Sequence, residues 1–177
     1  MSSDAWEIGA YYGFSLSSPL ERAAWHEELT RNGGNTLEIG TYCGVSACEL
    51  AAKCPDRTVF SVDTLNMKTC HHVAADSYAL NRLPNMRLWV GTLAQMVAEV
   101  GWPAEVRTVW VDGGHYYDDV KSDLLTVVAN MPIGSILVHD FTAPCFQETI
   151  KRACDEVLTG WTLAVIHDTV AVFRNKH

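Results

Sequence analysis

Apolar residues fall in short runs along this chain, and the runs alternate with longer amphipathic stretches. Thr36–Ile39 reads as a strand. Val45–Lys53 reads as the helix behind it, with Ser46 and Glu49 spaced as a capping box. Thr58–Val62 is a second strand, and His71–Leu83 has a helical pattern that stops at Pro84. Met86–Val90 is a third strand, followed by a helix over Leu93–Val100 behind the cap Thr92. Arg107–Val111 is a fourth. The clearest helix comes next. Val120, Leu124, Val127, Val128 and Met131 share one face, opposite Asp118, Asp119, Lys121 and Asp123. "SILVH" is a continuous apolar run, as expected of a strand covered on both sides. Phe146, Ile150, Ala153 and Val157 stripe a further helix, and "WTLAVI", "HD" and "TVAVF" read as a hairpin around a two-residue turn.

Five strand–helix units closed by a hairpin predict an α/β fold: a doubly wound, Rossmann-like, mostly parallel sheet ending in an antiparallel hairpin. One domain is expected over residues 1–177, with 1–34 an N-terminal lid or helical segment. In such folds ligands bind beyond the carboxyl ends of the strands, near the switch in strand order. The stretches to inspect are therefore "EIGTYCG", "VDTLN", "VGTLA", "VDGGHYYDD" and "VHDFTAPC".

Composition narrows the partners. The chain has 177 residues, 48% hydrophobic and 19% charged, with net charge −8. A core of ordinary size is affordable at that length, and an acidic surface disfavours a nucleic-acid partner. No window approaches the ~20 apolar residues of a membrane helix. "MSSDAWEIGAYYG" carries no basic region ahead of an apolar core, so a cytoplasmic protein is expected. Six cysteines (Cys43, Cys48, Cys54, Cys70, Cys145 and Cys154) are read as reduced thiols, because several fall in predicted helices and the core needs no staples.

The first loop places Gly40 and Gly44 between a strand and a helix N-terminus, where backbone can approach a ligand closely. The spacing is GxxxG, not the GxGxxG of dinucleotide folds. Glu38 precedes it, and a carboxylate there suits an ammonium or hydroxyl better than a pyrophosphate. Asp63 ends the second strand, where an acidic residue commonly accepts hydrogen bonds from a ribose diol. Together these features favour an adenosyl ligand over a plain turn and a solvated aspartate.

"LEIGTYCGVS" followed by "VFSVDTLN" resembles the class I S-adenosylmethionine (SAM)-dependent methyltransferases. "VWVDGGHYYDDVKSDL" and "MPIGSILVHDF" are similar to their small-molecule O-methyltransferase branch, the macrolide-sugar and cephamycin-pathway type. The likeness covers about residues 35 to 142. It implies that Glu38, Gly40 and Gly44 hold the methionine moiety, with Thr41, Tyr42 and Ser46 also binding the cofactor. It places Asp63 and Thr64 at the ribose, Gly91 and Thr92 near the adenine, and Asp112 at the edge of the cofactor site. It also implies a divalent cation, Mg²⁺ or Mn²⁺, on Asp112, His139 and Asp140, with His115 as general base. This chain has His139 where metal-binding relatives often carry an acidic residue, and an imidazole favours an ion softer than Mg²⁺. The competing reading of Asp112, His115 and Asp140 is structural: they cap the helices that follow.

Methyl transfer from a sulfonium is an in-line displacement, and an attacking alcohol must lose its proton, a task suited to an imidazole at neutral pH. A SAM-dependent O-methyltransferase acting on a small hydroxylated molecule is thus the leading expectation. The alternatives are a SAM-binding protein without transfer chemistry, a methyltransferase with a protein or nucleic-acid acceptor, and an NAD-dependent oxidoreductase, which the glycine spacing disfavours. A chain this short leaves a limited acceptor pocket that a symmetric partner, in a homo-oligomer, would complete. "CHH" at 70–72 lacks a second ligand pair for zinc. Cys145 follows strand five, not strand four as the nucleophile of cytosine-5 methyltransferases does. No "NPPY"-like stretch is present. Trp6, Tyr11, Tyr12 and Phe14 are expected to pack on the core, or else to cover the acceptor pocket.

Overall fold

Seven strands form one mixed sheet in the order β3-β2-β1-β4-β5-β7-β6. The computed structural model describes residues 17–64 and 83–175. The elements are α1 (Pro19–Asn32), β1 (Asn35–Ile39), α2 (Val45–Lys53), β2 (Val59–Asp63), β3 (Met86–Val90), α3 (Leu93–Val100), β4 (Val106–Val111), α4 (Tyr117–Asn130), β5 (Ser135–Val138), α5 (Gln147–Val157), β6 (Trp161–His167) and β7 (Val170–Asn175). Strands β1 to β5 pair in parallel, and β7 runs antiparallel to both β5 and β6. The doubly wound sheet with its terminal hairpin is the one expected. Order reverses between β1 and β4, so the loops after these strands flank the switch point.

The sheet is covered on both faces, and the period of two along each strand decides which residue goes where. Ile39, Val109, Val111, Ile136 and Val138 pack with Leu124, Val127 and Ile150 of the α3–α4–α5 layer. Trp110 and Leu137 point the other way, against Trp25 and Leu29 of α1 and Leu50 of α2. Trp25 and Trp110 stack with ring centroids 5.1 Å apart, a pairing worth about 0.5–1.5 kcal/mol beyond its area.

Helix α1 is poor in apolar residues and yet buried. Ser18 caps it in a reciprocal box with Glu21, Pro19 occupies the first turn, and Gly33 at φ 65° ends it. Charged anchors hold it in place. The Arg22 Nε lies 2.6 Å from Glu49 of α2, and Arg174 of β7 donates to both oxygens of Glu28 at 3.0 and 2.6 Å. Arg22, Glu28 and Glu49 are all buried. They are tolerable inside because each is paired.

Two local expectations need correction. The start of α2 has no capping box: Gly44, left-handed at φ 72°, is the cap, and no side chain bonds there. Ser46 and Glu49 have other partners, Glu38 for the first, Arg22 and Lys53 for the second. The hairpin turn is Asp168–Thr169, one residue later than expected, because His167 still pairs with Val170 and Asp168 takes the left-handed position. The cap at Thr92 is as expected, with Gln95 completing the box. Helix 71–83 lies mostly outside the described residues, and "CHH" and the N-terminal aromatics lie wholly outside them. Cys43, Cys48, Cys54, Cys145 and Cys154 are free thiols. Among the described residues, no helix is long and apolar enough to cross a membrane.

Candidate active site

A cavity of about 640 Å³ opens beyond the carboxyl ends of β1, β2, β4 and β5. That volume suits a nucleoside-sized ligand with room beside it. Gly40 shows why the cavity sits there. Its φ is 96°, and a Cβ at this position would stand 2.0 Å from the Asp112 carbonyl. The ends of β1 and β4 approach so closely that only glycine fits. The chain then turns through Thr41, Tyr42 and Gly44 into α2, and all three line the cavity.

Most of the residues singled out in the sequence converge here. Gly40, Thr41, Tyr42, Gly44, Ser46, Asp63, Thr64, Gly91, Thr92, Asp112, His115, His139 and Asp140 all line the cavity. Asp63 accepts the Tyr42 backbone N–H at 2.9 Å, which ties the end of β2 to the glycine loop. Glu38 is not among the lining residues. It is fully buried on the α2 side of β1, where Ser46 donates to it at 2.5 Å and Ser61 also donates to it. Thr41 continues the chain, 2.7 Å from Ser61. Burial pushes the Glu38 carboxyl up to about 8, against the opposing pull of the two serines. Glu38 thus braces the glycine loop from beneath, through Ser46 and Ser61.

Ends of β4 and β5 supply the polar centre. His139 Nδ1 lies 3.0 Å from Asp112 and 3.5 Å from Asp140. His115 Nε2 lies 3.1 Å from Asp140, and its ring stacks on Phe146 at 4.3 Å. Asp140, whose backbone is left-handed at φ 56°, reaches both rings. This conformation is uncommon but accessible to aspartate. The neighbouring His115 and His139 hold its carboxyl well below the usual carboxylate range. Burial alone would push His139 down, but Asp112 and Asp140 outweigh it and push the imidazole up.

Asp112, His139 and Asp140 each offer one ligand atom, and these atoms lie within 4.8 Å of one another. His139 Nδ1 is buried and has no aligned hydrogen-bond partner, despite its nearness to two carboxylates. Two anionic oxygens and an unsatisfied imidazole nitrogen are a donor set that fits a divalent cation, the more so Mn²⁺.

The sequence reading missed several lining residues: Ser17, and Asp119, Ser122 and Asp123 on one face of α4. Burial, with Asp119 beside it, pushes the Asp123 carboxyl up to about 7. It also missed Glu21, whose carboxylate reaches His139 from α1. The only signal was "SSPLE", which marks a helix start and says nothing of a second partner.

A family model for the methyltransferase domain matches residues 37–141. Comparison with curated proteins gave no match. Among solved structures, the O-methyltransferase TomG from Streptomyces achromogenes, in complex with SAM, superposes with a TM-score of 0.73 at 17% identity, covering 99% of this chain and 89% of that one. The SAH-bound methyltransferase PaMTH1 from Podospora anserina gives 0.76 at 16% identity, covering 100% and 89%. An O-methyltransferase from Bacillus cereus in complex with SAH gives 0.73 at 14% identity, covering 97% and 89%. At these identities the likeness establishes a shared fold.

Proposed function

The chain belongs to the methyltransferase domain family, and from that premise we propose that it transfers a methyl group from SAM to a hydroxyl of a small molecule. One observation carries the reading: the family's cofactor-edge loops and a His–Asp–His–Asp cluster line one cavity. Structures sharing its fold across nearly the whole chain are O-methyltransferases holding SAM or SAH. The chain acts as a single domain in the cytoplasm, and a second copy is the partner class that would complete the acceptor side.

The roles follow from position. Gly40, Thr41, Tyr42 and Gly44 present backbone to the methionine end of the cofactor. Asp63 and Thr64 face the ribose, and Gly91 and Thr92 the adenine. In the transfer, the acceptor oxygen bonds to the methyl carbon as its bond to sulfur breaks, and the hydroxyl proton passes to His115. Asp140 lies against Nε2 of that ring, so Nδ1 is the nitrogen that takes the proton, and Asp140 steadies the resulting imidazolium. Asp112, His139 and Asp140 would hold a divalent cation, which lowers the pKa of a bound hydroxyl and orients it.

Calorimetric titration tests the reading: SAH should bind and NAD should not. A screen of hydroxylated acceptors with and without EDTA then addresses the metal. Tight NAD binding with no SAH binding would overturn the proposal. Turnover unchanged by EDTA would remove the cation from it.

A further inference from the structure

We propose that Glu21 is a positioning residue, which holds the His139 ring so that Nδ1 faces the gap between Asp112 and Asp140. The inference rests on the divalent-cation reading of those three residues.

Geometry carries the argument. His139 is 6% exposed and lies beside Trp110, with ring centroids 5.7 Å apart. Its Nε2 lies 3.3 Å from the Glu21 carboxylate, and its Nδ1 points at the two aspartates. A ring that donates Nε2–H to Glu21 keeps the lone pair on Nδ1. That lone pair then faces two anionic oxygens, which is repulsive unless a proton or a metal ion lies between; a divalent cation replaces the proton and is held by all three groups. The same arrangement is the general device for a metal-binding histidine: a carboxylate on the far nitrogen fixes tautomer and orientation.

Glu21 is itself immobilised. Its Oε1 accepts from the Thr169 N–H at 3.2 Å and the Thr169 hydroxyl at 2.5 Å. Its Oε2 accepts from the Ser18 N–H at 2.6 Å. It therefore fixes the ring from a rigid base built by α1 and the β6–β7 turn. Asp112 and Asp140 cannot do this, because both lie on the side where the cation would bind.

The test separates positioning from plain structure. Mn²⁺ affinity is measured by electron paramagnetic resonance on the full chain, for the parent and for Glu21→Gln, Ser18→Ala and Thr169→Val. Ser18→Ala removes the hydroxyl that accepts from the Glu21 backbone N–H, and Thr169→Val removes one donor to Oε1; both leave the carboxylate on His139 with its backbone donors. Glu21→Gln should weaken Mn²⁺ binding about 10–100-fold, with SAH affinity unchanged, while Ser18→Ala and Thr169→Val stay within about threefold of the parent. If Glu21→Gln does not fold, Glu21→Asp withdraws the carboxylate from Nε2 and should show the same loss. Parental Mn²⁺ affinity in the Glu21 variant would overturn the inference and leave the metal site standing. Equal losses in Ser18→Ala or Thr169→Val would reduce Glu21 to a helix anchor. A parent that binds no Mn²⁺ would overturn the metal reading and this inference together.

Discussion

Asp63 accepts a hydrogen bond from the backbone N–H of Tyr42 at 2.9 Å, joining the ends of two neighbouring strands across the mouth of the cavity. The contact fixes the carboxylate at the edge where a ribose would lie. Replacing Asp63 with alanine should weaken SAH binding by about 1–3 kcal/mol, the cost of unpaired polar groups. Calorimetry reads this directly, and parental affinity in Asp63→Ala would remove the residue from the cofactor site.

His115→Ala should lose roughly 10²–10⁴ in turnover, the usual size of a general-base contribution. Donor affinity should barely change, because in the proposed mechanism the imidazole addresses the acceptor. Steady-state rates and SAH titration on the same preparation separate the two. A variant with parental turnover on its true acceptor would exclude His115 as the base.

The buried Glu38 makes stability depend on pH. Its carboxyl is raised in the folded chain, from 4.5 to about 8. The folded state therefore binds this proton more tightly than the unfolded one. The resulting stabilisation is fully present below about pH 4.5 and is lost as pH rises through about 8. Denaturant titration across that window should show the parent losing stability relative to Glu38→Gln, by on the order of a few kcal/mol. Parallel curves for the two proteins would contradict the burial argument.

Arg22 and Glu49 form a buried ion pair between α1 and α2. Arg22→Ala removes one partner and leaves a buried carboxylate poorly matched, at a cost of about 3–5 kcal/mol. Arg22→Met, which keeps the volume, leaves the carboxylate with Lys53 alone and should cost nearly as much. Urea unfolding of both variants, with Glu49→Gln/Arg22→Met as the double mutant, checks the pairing. Recovery in the double mutant is the expected result.

Apolar periodicity carried most of the fold into view. Val120, Leu124 and Val127 of α4 lie buried on the face the spacing predicted, and Ile136, Leu137 and Val138 fill a strand covered on both sides. Loop residues at strand ends were legible for the same reason, since the topology brings them to one edge. A helical segment within residues 1–34 was expected, but the burial of α1 was not legible, because its buried face is built from Glu21, Arg22 and Glu28 beside Trp25 and Leu29. Charge in a sequence reads as surface unless its partner is known, and the partners here are Thr169, Glu49 and Arg174. Ser46 misled in the opposite way. Its spacing from Glu49 fits a cap, but Gly44 had already turned the chain, and the hydroxyl went to Glu38.

The bond from Thr169 to Glu21 spans 148 positions of the chain. The β1–β2 pairing needs only local segments and the glycine loop only β4 besides, whereas the pocket around His139 waits for both α1 and the last hairpin to dock. Closing a loop of that length is entropically slow, so this corner of the molecule belongs to the late, long-range stage of folding. A chain still emerging from synthesis would have its nucleoside-binding edge in place before the imidazole had found its seat.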